Sequence, residues 1–188
     1  MRVPYAPLTL LALSLLSAAC AAPDTYPEAD ALAVPSEGAI PYERRAIERA
    51  AVEELAARFS DAANTADGAA FAALWHPERA TWRIGPPIDV EFRDRDSLGM
   101  ALEQMLGRWD FFVQTPGATV VEFSDDYRAA TARTHVTERA RATDGSGNFN
   151  LSYYLDTLSK VGDDWRYESR TYHTVYQEDR DYGGQVLE

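Results

Sequence analysis

The side chains best suited to chemistry lie towards the C-terminal end of the chain: Glu138, Tyr154, Asp156, Arg170 and Tyr172. Asp156 stands in the middle of YYLDTLSKV, a run otherwise suited to a pleated, half-buried strand, where Asp is disfavoured. A carboxylate in a partly dry cavity can have its pKa raised enough for acid–base work near neutral pH, and a nearby Tyr can polarise a carbonyl or hydroxyl. A neighbouring Arg pulls the other way and keeps the acid ionised. Asp156 therefore has two readings, a working acid or one half of a cross-strand ion pair with Arg170. The pair is the favoured one. Glu138 is a second candidate acid, or a rim residue.

Turn chemistry says how these groups could meet. Gly162-Asp163-Asp164, taken as a three-residue loop, sets Val161 opposite Trp165, Asp156 opposite Arg170 and Tyr154 opposite Tyr172. Asp144 to Asn148, taken as a five-residue loop, sets Glu138 opposite Tyr154 and Val136 opposite Asp156. Side chains alternate faces along a strand. One face then carries Ala130, Ala132, Thr134, Val136, Glu138, Tyr154, Asp156, Leu158, Arg170 and Tyr172. Being small and apolar over much of its length, it is assigned to the covered, concave side. The other face carries Arg133, His135, Thr137, Arg139, Tyr153, Leu155, Trp165, Tyr167 and His173, and is solvated or a dimer surface.

Other candidates have blander readings. His76, just before Pro77, suits a helix C-terminus or solvent. His135 and His173 fall on the outer face, and three scattered His make no metal site. Trp82, Trp109, Phe111 and Phe112 could line an apolar pocket, though aromatics mostly supply core burial. There is no Gly-rich phosphate loop, nucleophile elbow or HExxH motif.

The elements that must position these groups follow from periodicity. Ile47, Ala51, Leu55, Phe59 and Ala62 predict a long amphipathic helix from about Tyr42. Asp67 is placed to cap a short helix carrying Phe71, Leu74 and Trp75, stopped by Pro77. Short strands flank Gly85-Pro86-Pro87. A third helix after Asp94 or Asp96 sets Leu98, Leu102, Met105, Leu106 and Trp109 on one face. Four long strands follow, the first interrupted at Thr115-Pro116-Gly117. This order predicts an α+β domain, helices on one face of a curved antiparallel sheet.

The N-terminus differs in kind. Arg2, the apolar run Leu8 to Leu16 and then LSAAC form a secretory signal, too short for a spanning helix of about 20 apolar residues. Cys20, the sole cysteine, fits a lipobox, making residues 1–19 a signal peptide and Cys20 a lipidated anchor in a bacterial envelope. Cleavage that leaves a free thiol is the alternative. Residues 20–41 read as a flexible tether, 42–178 as the domain and 179–188 as a tail. With no second cysteine, stability must come from packing. A formal charge of −12 argues against a nucleic-acid partner.

The element order, with Asp67, Phe71 and Leu74 in the second helix, Asp126 and Ala130 leading into a strand, and Tyr154, Asp156, Trp165 and Arg170 in the last hairpin, resembles the nuclear transport factor 2-like superfamily, in particular its SnoaL-like branch. The resemblance covers about residues 42–178. It implies a cone, a bent sheet wrapped around three helices with an internal pocket. Superfamily members include dehydratases, cyclases, isomerases, epoxide hydrolases and non-catalytic binders, so fold alone selects no function. Scytalone dehydratase-like members place a Tyr-Asp pair at the end of the first helix and His in the pocket. The corresponding places here read Ala63-Asn64 and Phe111-Phe112-Val113-Gln114.

Three function classes are thereby expected. The first is a pocket for a small apolar or aromatic molecule, with Tyr154, Arg170, Tyr172, Trp82, Trp109 and Phe112 as ligand-binding residues. The second is a cofactor-independent lyase, isomerase or cyclase using Asp156 or Glu138. The third is a homodimeric interaction module using Trp165 and Tyr167. No cofactor or metal is implied.

Overall fold

The computed structural model describes residues 42–187. The signal peptide, Cys20 and the tether lie outside the described residues. Helix α1, Tyr42–Asn64, buries Val52, Leu55, Phe59, Ala62 and Ala63. Ile47 and Ala51 are exposed instead, and Glu48 takes the inward place. Steps of four drift around a helix of 3.6 residues per turn, so the inward stripe needs mixed steps of three and four. Helix α2, Gly68–Ala73, is capped by Asp67, whose Oδ1 accepts from the Ala70 N–H at 2.8 Å. Full burial of Phe59 and Phe71, tilted against each other with ring centroids 4.8 Å apart, is worth about 1.5–3 kcal/mol each.

Strands β1, Thr81–Ile84, and β2, Val90–Arg93, pair antiparallel. Helix α3, Arg95–Leu106, is capped by Asp94 and ends at Gly107. Trp109 therefore does not belong to its apolar face; it opens strand β3, Trp109–Phe123. Strands β4, Ala129–Ala142, β5, Gly147–Val161, and β6, Asp164–Asp179, complete one sheet in the order β2-β1-β6-β5-β4-β3. Every neighbouring pair is antiparallel except β1 with β6, which is parallel. The register of β3 on β4 shifts between Pro116 and Thr119, at the expected interruption. The helices cover one face of this curved sheet, an α+β fold.

Both hairpins depart from the register that the turn residues suggest. Val161 faces Asp164, not Trp165, so the turn between β5 and β6 holds two residues. A register shift between Thr157 and Leu158 then leaves Glu168 unpaired and restores Asp156 opposite Arg170 and Tyr154 opposite Tyr172. Between the turn and that bulge the faces are inverted relative to expectation. Trp165 and Tyr167 consequently lie in the core, 3% and 1% exposed, and not on the outer face. In the other hairpin Glu138 faces Asn150, while Tyr154 faces Thr134 and Asp156 faces Ala132. That register differs from expectation by an even number of residues, so every residue assigned to the covered face is buried.

Candidate functional site

A cavity of about 740 Å³ opens between the helices and the sheet. Its wall is mostly apolar, with Trp82 and Ile84 from β1, Leu102, Met105 and Leu106 from α3, and Trp109 and Phe112 from β3. Its polar end is built by β3, β4, β5 and β6, which contribute Gln114, Glu138, Asn150, Tyr154 and Tyr172.

Glu138 is the centre of that polar end and is 6% exposed. Its Oε1 accepts from Gln114 Nε2 at 2.7 Å. Its Oε2 accepts from Asn150 Nδ2 at 3.2 Å and from the Tyr172 hydroxyl. Three donors thus point at two oxygens, a pattern that an acceptor-only carboxylate satisfies. Tyr172 in turn accepts from the Ser152 hydroxyl at 2.7 Å. No Lys, Arg or His among the described residues forms a salt bridge with Glu138.

Gln114 ties the network to α1. Its side-chain oxygen accepts from Ser60 Oγ at 2.8 Å, and its Nε2 also donates to the Tyr154 hydroxyl at 3.1 Å. The Asn64 amide grips the Gln114 backbone from both sides, accepting from its N–H at 2.6 Å and donating to its carbonyl at 2.9 Å. This grip holds Gln114 inward. Asn64 and Gln114, one from each of the two stretches that depart from the dehydratase pattern, are therefore joined to each other. Burial first, and the Glu138 charge second, push both the Tyr154 and the Tyr172 phenols well above their ordinary range. Both remain hydroxyls, able to donate.

Asp156 and Arg170 are not part of the cavity wall. They pair within the core, Arg170 Nε to Asp156 Oδ1 at 3.6 Å, with side chains 0% and 2% exposed. The Arg170 guanidinium sits on three ring faces, Tyr154 at 3.9 Å, Phe59 at 4.0 Å and Tyr167 at 4.5 Å. Burial works against its charge, but Asp156 and Tyr167 work for it, and the net direction is up. Asp156 is pushed up to about 6 by burial, against the pull of Arg170.

Glu138, Tyr154, Tyr172, Trp82, Trp109 and Phe112 do share the cavity. Phe111 points elsewhere, meeting Tyr182 edge-to-face with ring centroids 5.2 Å apart. His76 is buried rather than solvated, its Nδ1 accepting from the Glu78 N–H at 3.1 Å and its Nε2 3.0 Å from Arg79. His135 and His173 flank Tyr153 on the outer face, as expected. Gln114, Asn150, Ser60 and Ser152 are not among the site residues that the sequence points to. The signal for Asn150 and Ser152 was available, since both share the parity of Tyr154 and Asp156 along one strand.

A family model described as a SnoaL-like domain matches residues 44–171. Among solved structures, a candidate scytalone dehydratase from Novosphingobium aromaticivorans superposes with a TM-score of 0.65 at 20% identity, covering 77% of this chain and 93% of that one. A hexachlorocyclohexane dehydrochlorinase from Novosphingobium barchaimii gives a TM-score of 0.65 at 15% identity, covering 77% and 97%. A protein from Kribbella flavida gives 0.63 at 20% identity, covering 71% and 95%. At these identities the likeness is one of fold. No curated protein sequence matches the chain.

Proposed function

The chain belongs to the SnoaL-like domain family, and from that starting point we propose that its cavity binds a small apolar or aromatic molecule whose polar group meets Glu138. The observation that carries this reading is Glu138, the one buried carboxylate among the described residues lining a mostly apolar wall, held by three donors. Pockets of this kind anchor a ligand by a few placed polar groups and gain affinity from apolar burial. Trp82 and Trp109 line the wall, so occupancy should change tryptophan emission. The test titrates the full chain with uncharged naphthalene-sized alcohols. Saturable binding is expected, and Ala142→Trp, which fills the cavity wall, should weaken it by about tenfold or more. Absence of any saturable change, or binding unaffected by Ala142→Trp, overturns the reading.

A second reading is a cofactor-independent lyase or isomerase. It is favoured by the absence of an Arg partner at Glu138 and by the Tyr154 hydroxyl, which accepts from Gln114 and keeps its own proton to donate. Glu138 would take the proton and Tyr154 would polarise the departing or enolising oxygen. Binding ranks first because three of the roughly four acceptor positions of Glu138 are already taken. Turnover of hydroxy-carbonyl or halogenated ring compounds, lost in Glu138→Gln, would promote the second reading over the first.

Export and anchoring rest on the sequence alone. The apolar run and Cys20 support a lipid-anchored envelope protein. Radiolabelled fatty acid should enter the wild-type chain and not Cys20→Ser. Homodimerisation through the outer face would use exposed apolar residues there, such as Leu151, Leu155 and Val120. Light scattering of Leu155→Glu tests it, and an unchanged mass would exclude that face.

A further inference from the structure

Within the pocket reading, we propose that the ligand is a cation, a small apolar or aromatic amine bound as its ammonium form, with Glu138 as its counter-charge. Glu138 carries the negative charge of the cavity's polar end without a basic partner, although it is almost fully buried. A buried carboxylate satisfied only by neutral donors remains an uncompensated charge, and a cationic ligand removes that cost on binding. Arg108 and Asp144, of opposite sign, also line the cavity but are exposed, and Arg170, behind the Tyr154 ring, is matched by Asp156, so the inner end stays negative.

One further feature asks for a donor from a ligand. Glu138 retains about one vacant acceptor position, and an ammonium offers three donors and no acceptor. The neighbouring Asn150 also lines the cavity and gives its amide N–H to Glu138. Neighbouring aromatic wall residues Trp82, Trp109 and Phe112 suit the apolar body of such a ligand and can face its charge.

The test compares three ligands of one shape on the full chain at pH 7 and low salt: 1-naphthylmethylamine, 1-naphthylmethanol and 1-naphthoate. The amine should bind about tenfold or more tighter than the alcohol, and the carboxylate most weakly. In Glu138→Gln the ratio of amine to alcohol affinity should fall to near one. If the alcohol binds as tightly as the amine, the cation proposal fails while the pocket reading stands. If none of the three binds, both fail. If the amine preference survives in Glu138→Gln, it arises from the acidic surface of the chain, and the proposal is overturned. Should Glu138→Gln not fold, the wild-type comparison at low and high salt decides, because a preference from the exposed surface is screened by salt and a buried one much less.

Discussion

The Arg170 guanidinium lies 3.9 Å from the centroid of the Tyr154 ring, so the floor of the cavity's polar end rests on a buried cation. Its Nε and both Nη atoms make no hydrogen bond, and Asp156 reaches only to 3.6 Å. The two members of this ion pair are therefore held differently. Three aromatic faces support the cation, whereas the carboxylate Oδ1 has no hydrogen-bond partner and leans on the cation alone.

That asymmetry predicts unequal mutants. Asp156→Asn keeps the size of the side chain, removes a charge that burial disfavours, and leaves the guanidinium on its rings. At pH 7 it should cost clearly less than removing the cation, because the three rings still hold the guanidinium. Arg170→Met leaves Asp156 buried without any counter-charge and should cost about 3–5 kcal/mol. Urea unfolding of both variants at pH 7 checks the order. A larger loss for Asp156→Asn would mean that the carboxylate, not the rings, holds the cation.

The same group sets a pH dependence. Asp156 titrates near 3.8 in an unfolded chain and near 6 in the fold. Between those values the folded state holds the extra proton, so this group's stabilising contribution is full below about pH 4 and is lost as pH rises through 6. The slope is at most about 1.4 kcal/mol per pH unit. Subtracting the stability profile of Asp156→Asn from that of the wild type should show this fall. A difference that rises with pH instead would mean the ion pair outweighs burial.

Much of this was legible in the sequence because faces depend on parity. Glu138, Tyr154, Asp156, Arg170 and Tyr172 fall on the covered face even though the register between β4 and β5 is four residues from expectation, since an even slip preserves the face. Trp165 and Tyr167 were lost for the complementary reason. The bulge at Glu168 inserts one residue, and one residue inverts a face. Depth was not legible at all. Periodicity says that Asp156 and Glu138 both point inward, but only packing decides that one meets Arg170 among aromatic rings and the other meets the cavity.

Glu48 makes a clamp that the helical pattern hid. Its carboxylate accepts from Lys160 at 2.7 Å and from the Trp165 indole at 2.9 Å, joining α1 to β5 and β6. Burial alone would raise its pKa, but the hydrogen bonds from Lys160 and Trp165 outweigh burial and lower it. Its stabilising contribution is therefore present above the ordinary glutamate value and lost as pH falls below it. Glu48→Ala leaves the indole N–H unpaired and should cost about 1.5–3 kcal/mol at pH 7, less at pH 3. Equal losses at both pH values would show that packing of the side chain, not its charge, makes the clamp.

Helices α2 and α3 touch through Gly68 and Gly99. A Cβ on Gly99 would overlap the Gly68 carbonyl oxygen and lie 3.0 Å from its carbon, both of them backbone atoms. On an isolated helix, Gly to Ala would stabilise by about 1 kcal/mol, because Ala loses less conformational freedom. Here the opposing atoms cannot rotate away, so the overlap must push the helices apart, at about 1–3 kcal/mol. Gly99→Ala should therefore lower the thermal midpoint of unfolding despite its better helix propensity. It should also weaken ligand binding, since α3 carries Leu102, Met105 and Leu106 into the cavity wall. A raised midpoint would mean that α3 can shift freely on α2, and that the wall it forms is adjustable rather than fixed.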